Sequence, residues 1–230
     1  ETITEGLDGL SERLKKYYDL GARFAKWRGV FKISIKNNLP SSESIKSNAH
    51  ALGRYSALVQ EANMVPIVEP EVLMEGNHDI KTCYQVTKIV LQETFNQLSN
   101  NNINIKGIIL KPNMILNGAE SGIKNETKQV AEMTLDCLKE NVPKDVPGIA
   151  FLSGGQTELE ATKNLNEINK INNSNFIMSY SYGRALQQSA LKFWAKDINN
   201  IRGTQDTFNH RANMCSLAAQ GKWSEELETK

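Results

Sequence analysis

Four polar residues, Lys26, Glu69, Lys111 and Ser153, close short apolar runs and follow one another at intervals of 43, 42 and 42 residues; Arg184 comes 31 after the last. Each interval has room for one strand, one helix and their loops, and strands joined through helices pair in parallel. The runs at 24–35, 64–71, 105–111, 148–153 and 176–181 are richer in Val, Ile, Leu, Phe or Tyr than their flanks and are predicted strands. Between them apolar residues recur at spacings of three and four. That pattern predicts helices over 42–63, 79–100, 124–141 and 157–170 and from 185 onward, with another over 7–21 ahead of the first strand. Ser41 or Ser42, Asp79 and Thr157 are placed to cap three of these helices. The units share no side-chain signature, so the regularity is one of topology: an α/β fold, either a (β/α)8 barrel or an open doubly wound sheet. Five units fall short of the eight that close a barrel.

Composition sets outer limits. A formal charge of +1 with no basic block argues against nucleic acid, and no apolar run approaches the roughly 20 residues of a membrane span, so no membrane insertion is expected. The three cysteines, Cys83, Cys137 and Cys215, are widely spaced and contain no CxxC pair, which fits neither a disulfide framework nor a zinc site and makes a reducing cytoplasm the default. The chain opens at Glu1 without a Met and ends on the charged run SEELETK; it is read as one partial domain over 1–230, truncated at both ends. Such a piece is expected to fold poorly alone, because strand edges and interior faces would be left uncovered.

The charged residues fall where chemistry is expected. In Gly107-Ile-Ile-Leu-Lys-Pro-Asn113 a lysine ends a buried apolar strand, the place where barrel enzymes keep their active sites. An amine that attacks a ketone must shed its proton near neutrality, which a dry site or a second cation promotes. Lys26 and Arg28, two apart in Phe24-Ala-Lys-Trp-Arg28, share one face of a strand and can supply that cation. Glu69 and Glu71, two apart in Val65-Pro-Ile-Val-Glu-Pro-Glu71, can answer them, one moving protons and the other holding the ammonium groups in place. Blander readings stand beside these: a lysine reaching solvent at a strand end, an edge strand with one wet face, a structural ion-pair cluster.

Two βα turns look like anion sites. Phe151-Leu-Ser-Gly-Gly-Gln156 runs from a strand through a Gly pair into a helix, leaving backbone amides free around Ser153 and Gly154. Ser181-Tyr-Gly-Arg184 adds the Gly183 amide and the Arg184 guanidinium. Common turn chemistry and a surface arginine are the alternatives.

Taken in order and spacing, FAKWR, PIVEPE, ILKPNM, FLSGGQ and SYGRALQ resemble class I fructose-bisphosphate aldolase along essentially all 230 residues, with GLDGLSER and NLNEIN adding to the match. The resemblance implies a TIM barrel of which the chain holds strands four to eight. Carried over by position, Lys111 would form the imine with the ketose and Glu69 would handle protons at the carbinolamine. Lys26 and Glu71 would complete the charged network, and Arg28 would contact substrate. Ser153, Gly154, Gly183 and Arg184 would hold the phosphate nearest the ketone.

The implied reaction is the reversible cleavage of fructose 1,6-bisphosphate to dihydroxyacetone phosphate and glyceraldehyde 3-phosphate in glycolysis and gluconeogenesis. It is expected to proceed in the cytoplasm with no metal or organic cofactor, in a homotetramer. Actin or other cytoskeletal proteins are possible partners, and a catalytically inactive scaffold is the alternative reading. The family's strand-one aspartate and the lysine and serines for its other phosphate would precede Glu1, and its terminal tyrosine would follow Lys230. Within the chain, Tyr180 stands where the family usually has Phe and Cys215 where it usually has Asn.

Overall fold

A computed structural model describes residues 1–229. Helix α1 (Leu10–Asp19) precedes five strand–helix units. These are β1 (Phe24–Phe31) with α2 (Ser42–Glu61), β2 (Val65–Val72) with α3 (Ile80–Asn100), β3 (Ile109–Leu110) with α4 (Thr127–Asn141), β4 (Gly148–Phe151) with α5 (Glu158–Ile171), and β5 (Ile177–Tyr180) with α6 (Arg184–Lys196). Helix α7 (Ile201–Ala218) follows. The strands lie side by side in chain order, β1-β2-β3-β4-β5, and every pair is parallel. Their carboxyl ends therefore line up along one rim of the sheet.

Strand β2 is buried along nearly its whole length, as expected of a parallel strand covered on both faces, whereas β1 alternates: Trp27, Gly29 and Phe31 are buried while Lys26 and Arg28 open the other way. Single backbone bonds carry the ladder past the strand ends, from Lys111 N to Val68 O (2.7 Å), Leu152 N to Pro112 O (3.1 Å) and Ser181 N to Phe151 O (2.9 Å). These bonds fix the three residues that open the loops of interest.

The expected caps are in place. Ser41 Oγ accepts from Ser44 N, Asp79 Oδ1 from Thr82 N, and Thr157 forms a reciprocal box with Glu160. Four boundaries differ from expectation. β1 stops at Phe31 because Asn38, in the left-handed region, closes a turn in which Ser34 and Leu39 bond each other's backbone. The run from 105 begins as a 3-10 turn, Ile105–Gly107, capped by Asn104. α4 starts at Thr127, three residues later than the periodicity indicated. The helix expected from 185 onward divides in two, because Asn200 caps a new first turn through Gly203 N.

Behind the rim, the loops after β2 and β3 are tied together by buried amides. Asn113 Oδ1 accepts from Val72 N (3.0 Å) and Asn117 Oδ1 from Ile80 N (2.8 Å), while Gly118 N donates to His78 O (2.8 Å). A side chain at Gly118 would meet Gly76 O at 2.3 Å, so the two loops approach as closely as glycine permits. His78 is buried in this contact, and neither ring nitrogen has a hydrogen-bond partner among the described residues. All three cysteines are buried free thiols, and burial pushes Cys83 up to about 11 and Cys137 to about 12.

Burial holds the His78 imidazole below its ordinary value of 6.5, so the folded protein keeps it neutral where the unfolded chain would already be charged. The unfolded state then binds the extra proton. Stability falls as pH drops below about 6.5, with a limiting slope of about 1.4 kcal/mol per pH unit from this group. Urea unfolding at about pH 7.5 and about pH 5.5 is expected to show a smaller acid loss for His78→Gln than for the parent protein. An equal loss in both would show that His78 does not contribute.

Candidate active site

The floor of the site is a carboxylate shared by two lysines. Glu69 is 3% exposed, with Oε1 3.0 Å from Lys111 Nζ and Oε2 2.9 Å from Lys26 Nζ. Register produces this. Arg28 pairs with Glu69 across the β1–β2 ladder, so Lys26 lies one side-chain position earlier on the same face. Leu110 pairs with Val68, which puts Lys111 abreast of Glu69 from the other side. Oε2 has no directed hydrogen bond among the described residues, so its contact with Lys26 is chiefly electrostatic. Two residues on, Glu71 receives the Arg28 Nε–H, and this bond raises the guanidinium's already high pKa further.

The wall is formed by the turns after β4 and β5. Ser153, Gly154, Gly155 and Gly183 have backbone N–H groups with no hydrogen-bond partner among the described residues. At the start of α5 the Thr157–Glu160 box consumes the amides of those two residues. Helix α6 starts at Gly183 without a side-chain cap, leaving its first turn open. The turn after β4 lies close over the floor: a Cβ at Gly154 would stand 3.0 Å from Glu71 Oε1, and one at Gly155 2.5 Å from the Met74 Cβ. Gly155 also has φ +74°, a conformation that side-chain-bearing residues rarely adopt. Gln156 is held by Asn164 Nδ2 at 2.8 Å, which steadies the end of the turn.

A cavity of about 850 Å³ joins the two parts: Arg28, Glu69, Glu71 and Lys111 line its floor and Ser153, Gly154, Gly183 and Arg184 its wall. Of the residues singled out from the sequence, only Lys26 does not line the cavity; it reaches it through Glu69. Sequence reasoning missed Gly155, Gln156, Gln188 and Lys192, which also line it. The signal for the last two was available, since they follow Arg184 at four and eight residues on one helix. Both floor carboxylates are engaged by basic side chains, and among the described residues no three His, Cys, Asp or Glu side chains converge. The arrangement offers a nearly buried amine, a carboxylate touching it, and a wall of open backbone amides with an arginine alongside.

These features define a class of protein in which a lysine amine and a cluster of open backbone amides share the rim of a parallel sheet. The family model for class-I fructose-bisphosphate aldolase matches residues 1–230, and the chain belongs to that family. It is 48% identical over 229 residues to fructose-bisphosphate aldolase of Dictyostelium discoideum, covering 100% of this chain and 64% of that one. With fructose-bisphosphate aldolase 4, cytosolic, of Arabidopsis thaliana it shares 47% over 229 residues, 99% of this chain and 58% of that one. A crystal structure of fructose-bisphosphate aldolase from Plasmodium falciparum, in complex with TRAP and a small-molecule inhibitor, superposes with a TM-score of 0.94 at 44% identity. It covers 96% of this chain and 64% of that one. The chain thus spans somewhat less than two thirds of the length of these relatives.

Gly155→Ala is expected to cost about 2 kcal/mol or more of stability through strain and the clash with Met74. Because the Ser153–Gln156 turn must then move, inorganic phosphate is expected to bind about tenfold more weakly by calorimetric titration. Affinity within about twofold of the parent would show that this turn does not form the anion site.

Proposed function

We propose that the protein containing this chain is a Schiff-base aldolase that reversibly cleaves fructose 1,6-bisphosphate to dihydroxyacetone phosphate and glyceraldehyde 3-phosphate. The observation that carries the reading is Lys111: its side chain is 11% exposed and its amine lies 3.0 Å from Glu69, inside a cavity whose wall is built for an anion. The amine adds to the ketone carbon, forming a C–N bond while the carbonyl oxygen takes a proton. Loss of that oxygen as water leaves an iminium ion. Glu69, between two ammonium groups, is placed to carry protons in both directions during these steps.

The iminium then accepts the electron pair of the carbon–carbon bond that breaks, as the hydroxyl on the far side of that bond loses its proton and the aldehyde leaves. Protonation of the resulting enamine and addition of water release dihydroxyacetone phosphate and restore the lysine. Glu71 holds Arg28 at the cavity, where its guanidinium faces the substrate. The amides of Ser153, Gly154 and Gly183, with Arg184, hold the phosphate nearest the ketone.

The same reading takes the sheet as strands four to eight of a (β/α)8 barrel. Its support is that β1 and β5 each have a neighbour on one side only, and that Phe24 and Ile177 on those strands are 55% and 73% exposed. A cytoplasmic setting is supported by relatives described as cytosolic, and no described helix is long and apolar enough to cross a membrane. A non-catalytic scaffold would leave the convergence of Lys111, Glu69 and Arg184 on one cavity without a purpose.

Borohydride reduction of the complete protein in the presence of dihydroxyacetone phosphate, followed by peptide mass spectrometry, tests the reading. A covalent adduct on Lys111, absent from a folded Lys111→Met variant, is expected. Folded parent protein that gives no adduct would count decisively against imine chemistry.

A further inference from the structure

The cavity has four cationic side chains in its lining, and they fall into two kinds. Lys111 and Arg28, on the floor, are each held by a carboxylate. Arg184 and Lys192, on the wall, form no ion pair with any described residue. A cation already held by a carboxylate has less to offer an incoming anion than an unpaired one at the edge of the same cleft.

The two free cations are on the same stripe of α6. Arg184, Gln188 and Lys192 are spaced by four residues, which sets them one above another on a helix, and all three line the cavity. Helical side chains lean towards the N-terminus of their helix, so the Lys192 stem runs back along the stripe towards Arg184 and the open first turn. One acid stands on this wall, Glu158 at the start of α5, and among the described residues it forms no ion pair with the stripe. One of its oxygens accepts from Ser189 Oγ, and the other is shielded from solvent without a partner. The Glu158–Ser189 bond ties α5 to α6 beside the cavity, which holds the stripe at a set distance from the Ser153–Gln156 turn.

From this arrangement we infer that Lys192 is a second cation of the phosphate wall: a rim residue that, with Arg184, draws in and retains the phosphate group of the substrate. The inference rests on the aldolase reading for its substrate, a sugar phosphate, but the anion site itself does not. About 12 Å of helix separates the two Cα atoms, so Lys192 acts largely through space. Its contribution is therefore screened by salt, over a Debye length of about 8 Å at physiological ionic strength.

The test compares the complete protein with its Lys192→Met and Lys192→Arg variants at low and high ionic strength. For Lys192→Met at low salt, KM for fructose 1,6-bisphosphate is expected to rise about fivefold with kcat within about twofold, and inhibition by inorganic phosphate to weaken by a similar factor. The difference should shrink at about 0.5 M salt, Lys192→Arg should stay close to the parent, and the melting temperature should not move. Unchanged KM and unchanged phosphate inhibition in Lys192→Met would overturn the proposal, as would a loss confined to kcat, which signals disturbed packing. If phosphate binding depends on Lys192 while the parent gives no borohydride adduct at Lys111, the anion site stands and the aldolase reading falls.

Discussion

The site hangs on one buried carboxylate. Taking an ion such as that of Glu69 out of water costs several kcal/mol even after relaxation, and the cost is offset only where opposite charge lies close. Here it is met from both sides, by Lys26 on one neighbouring strand and Lys111 on the other. The arrangement works only if three strands hold a single register, because a slip of one residue would turn each side chain to the opposite face and leave the charge alone. The ladder bonds at Lys111 and the amide ties of Asn113 and Asn117 are thus part of the electrostatics as well as of the fold.

From the same constraint comes a division of labour in the cavity. On the floor, three cations face two carboxylates at contact distance, an arrangement suited to moving protons because charge is nearly balanced within it. The wall carries unpaired positive groups and open amides, an arrangement suited to holding a dianion. Gly154 lies so close to Glu71 that a side chain there would stand 3.0 Å from its carboxylate, which sets the two regions at a short spacing. On the proposed aldolase reading, a substrate phosphate seated on the wall would fix how far its carbonyl can reach, so that the binding energy of a non-reacting group orients the reacting one.

Much of this could be read from the chain alone, for physical reasons that are particular to it. Charged residues at the ends of buried apolar runs are costly, so Lys26, Glu69 and Lys111 stood out by residue type and by interval. Asp79 and Thr157 announced helix starts because their side chains satisfy amides that the helix leaves open. The failures have equally local causes. The end of β1 is decided by Asn38 and by backbone bonds between Ser34 and Leu39, and such turn closure leaves no mark on hydrophobic periodicity. The break between α6 and α7 depends on Asn200 outcompeting helix continuation, a contest in which intrinsic propensities differ by only tenths of a kcal/mol.

Gly155 and Lys192 were missed for a different reason. In sequence, Gly155 is one half of a Gly pair whose amides are assigned around Ser153 and Gly154, and Lys192 lies beyond the SYGRALQ motif. What gives each a role is its distance from something far along the chain: Met74 for the glycine, and for the lysine the cavity that opens between α5 and α6. Arg184 was found because it closes a motif, and Lys192 was not because it belongs to none. Yet an incoming phosphate responds to the summed field of both. In a site assembled from strand ends, the residues that make contact are set by topology and are legible from spacing. Those that shape the field are set by helix placement: spacing puts Lys192 on the Arg184 stripe, and the folded chain adds that this stripe faces the opening.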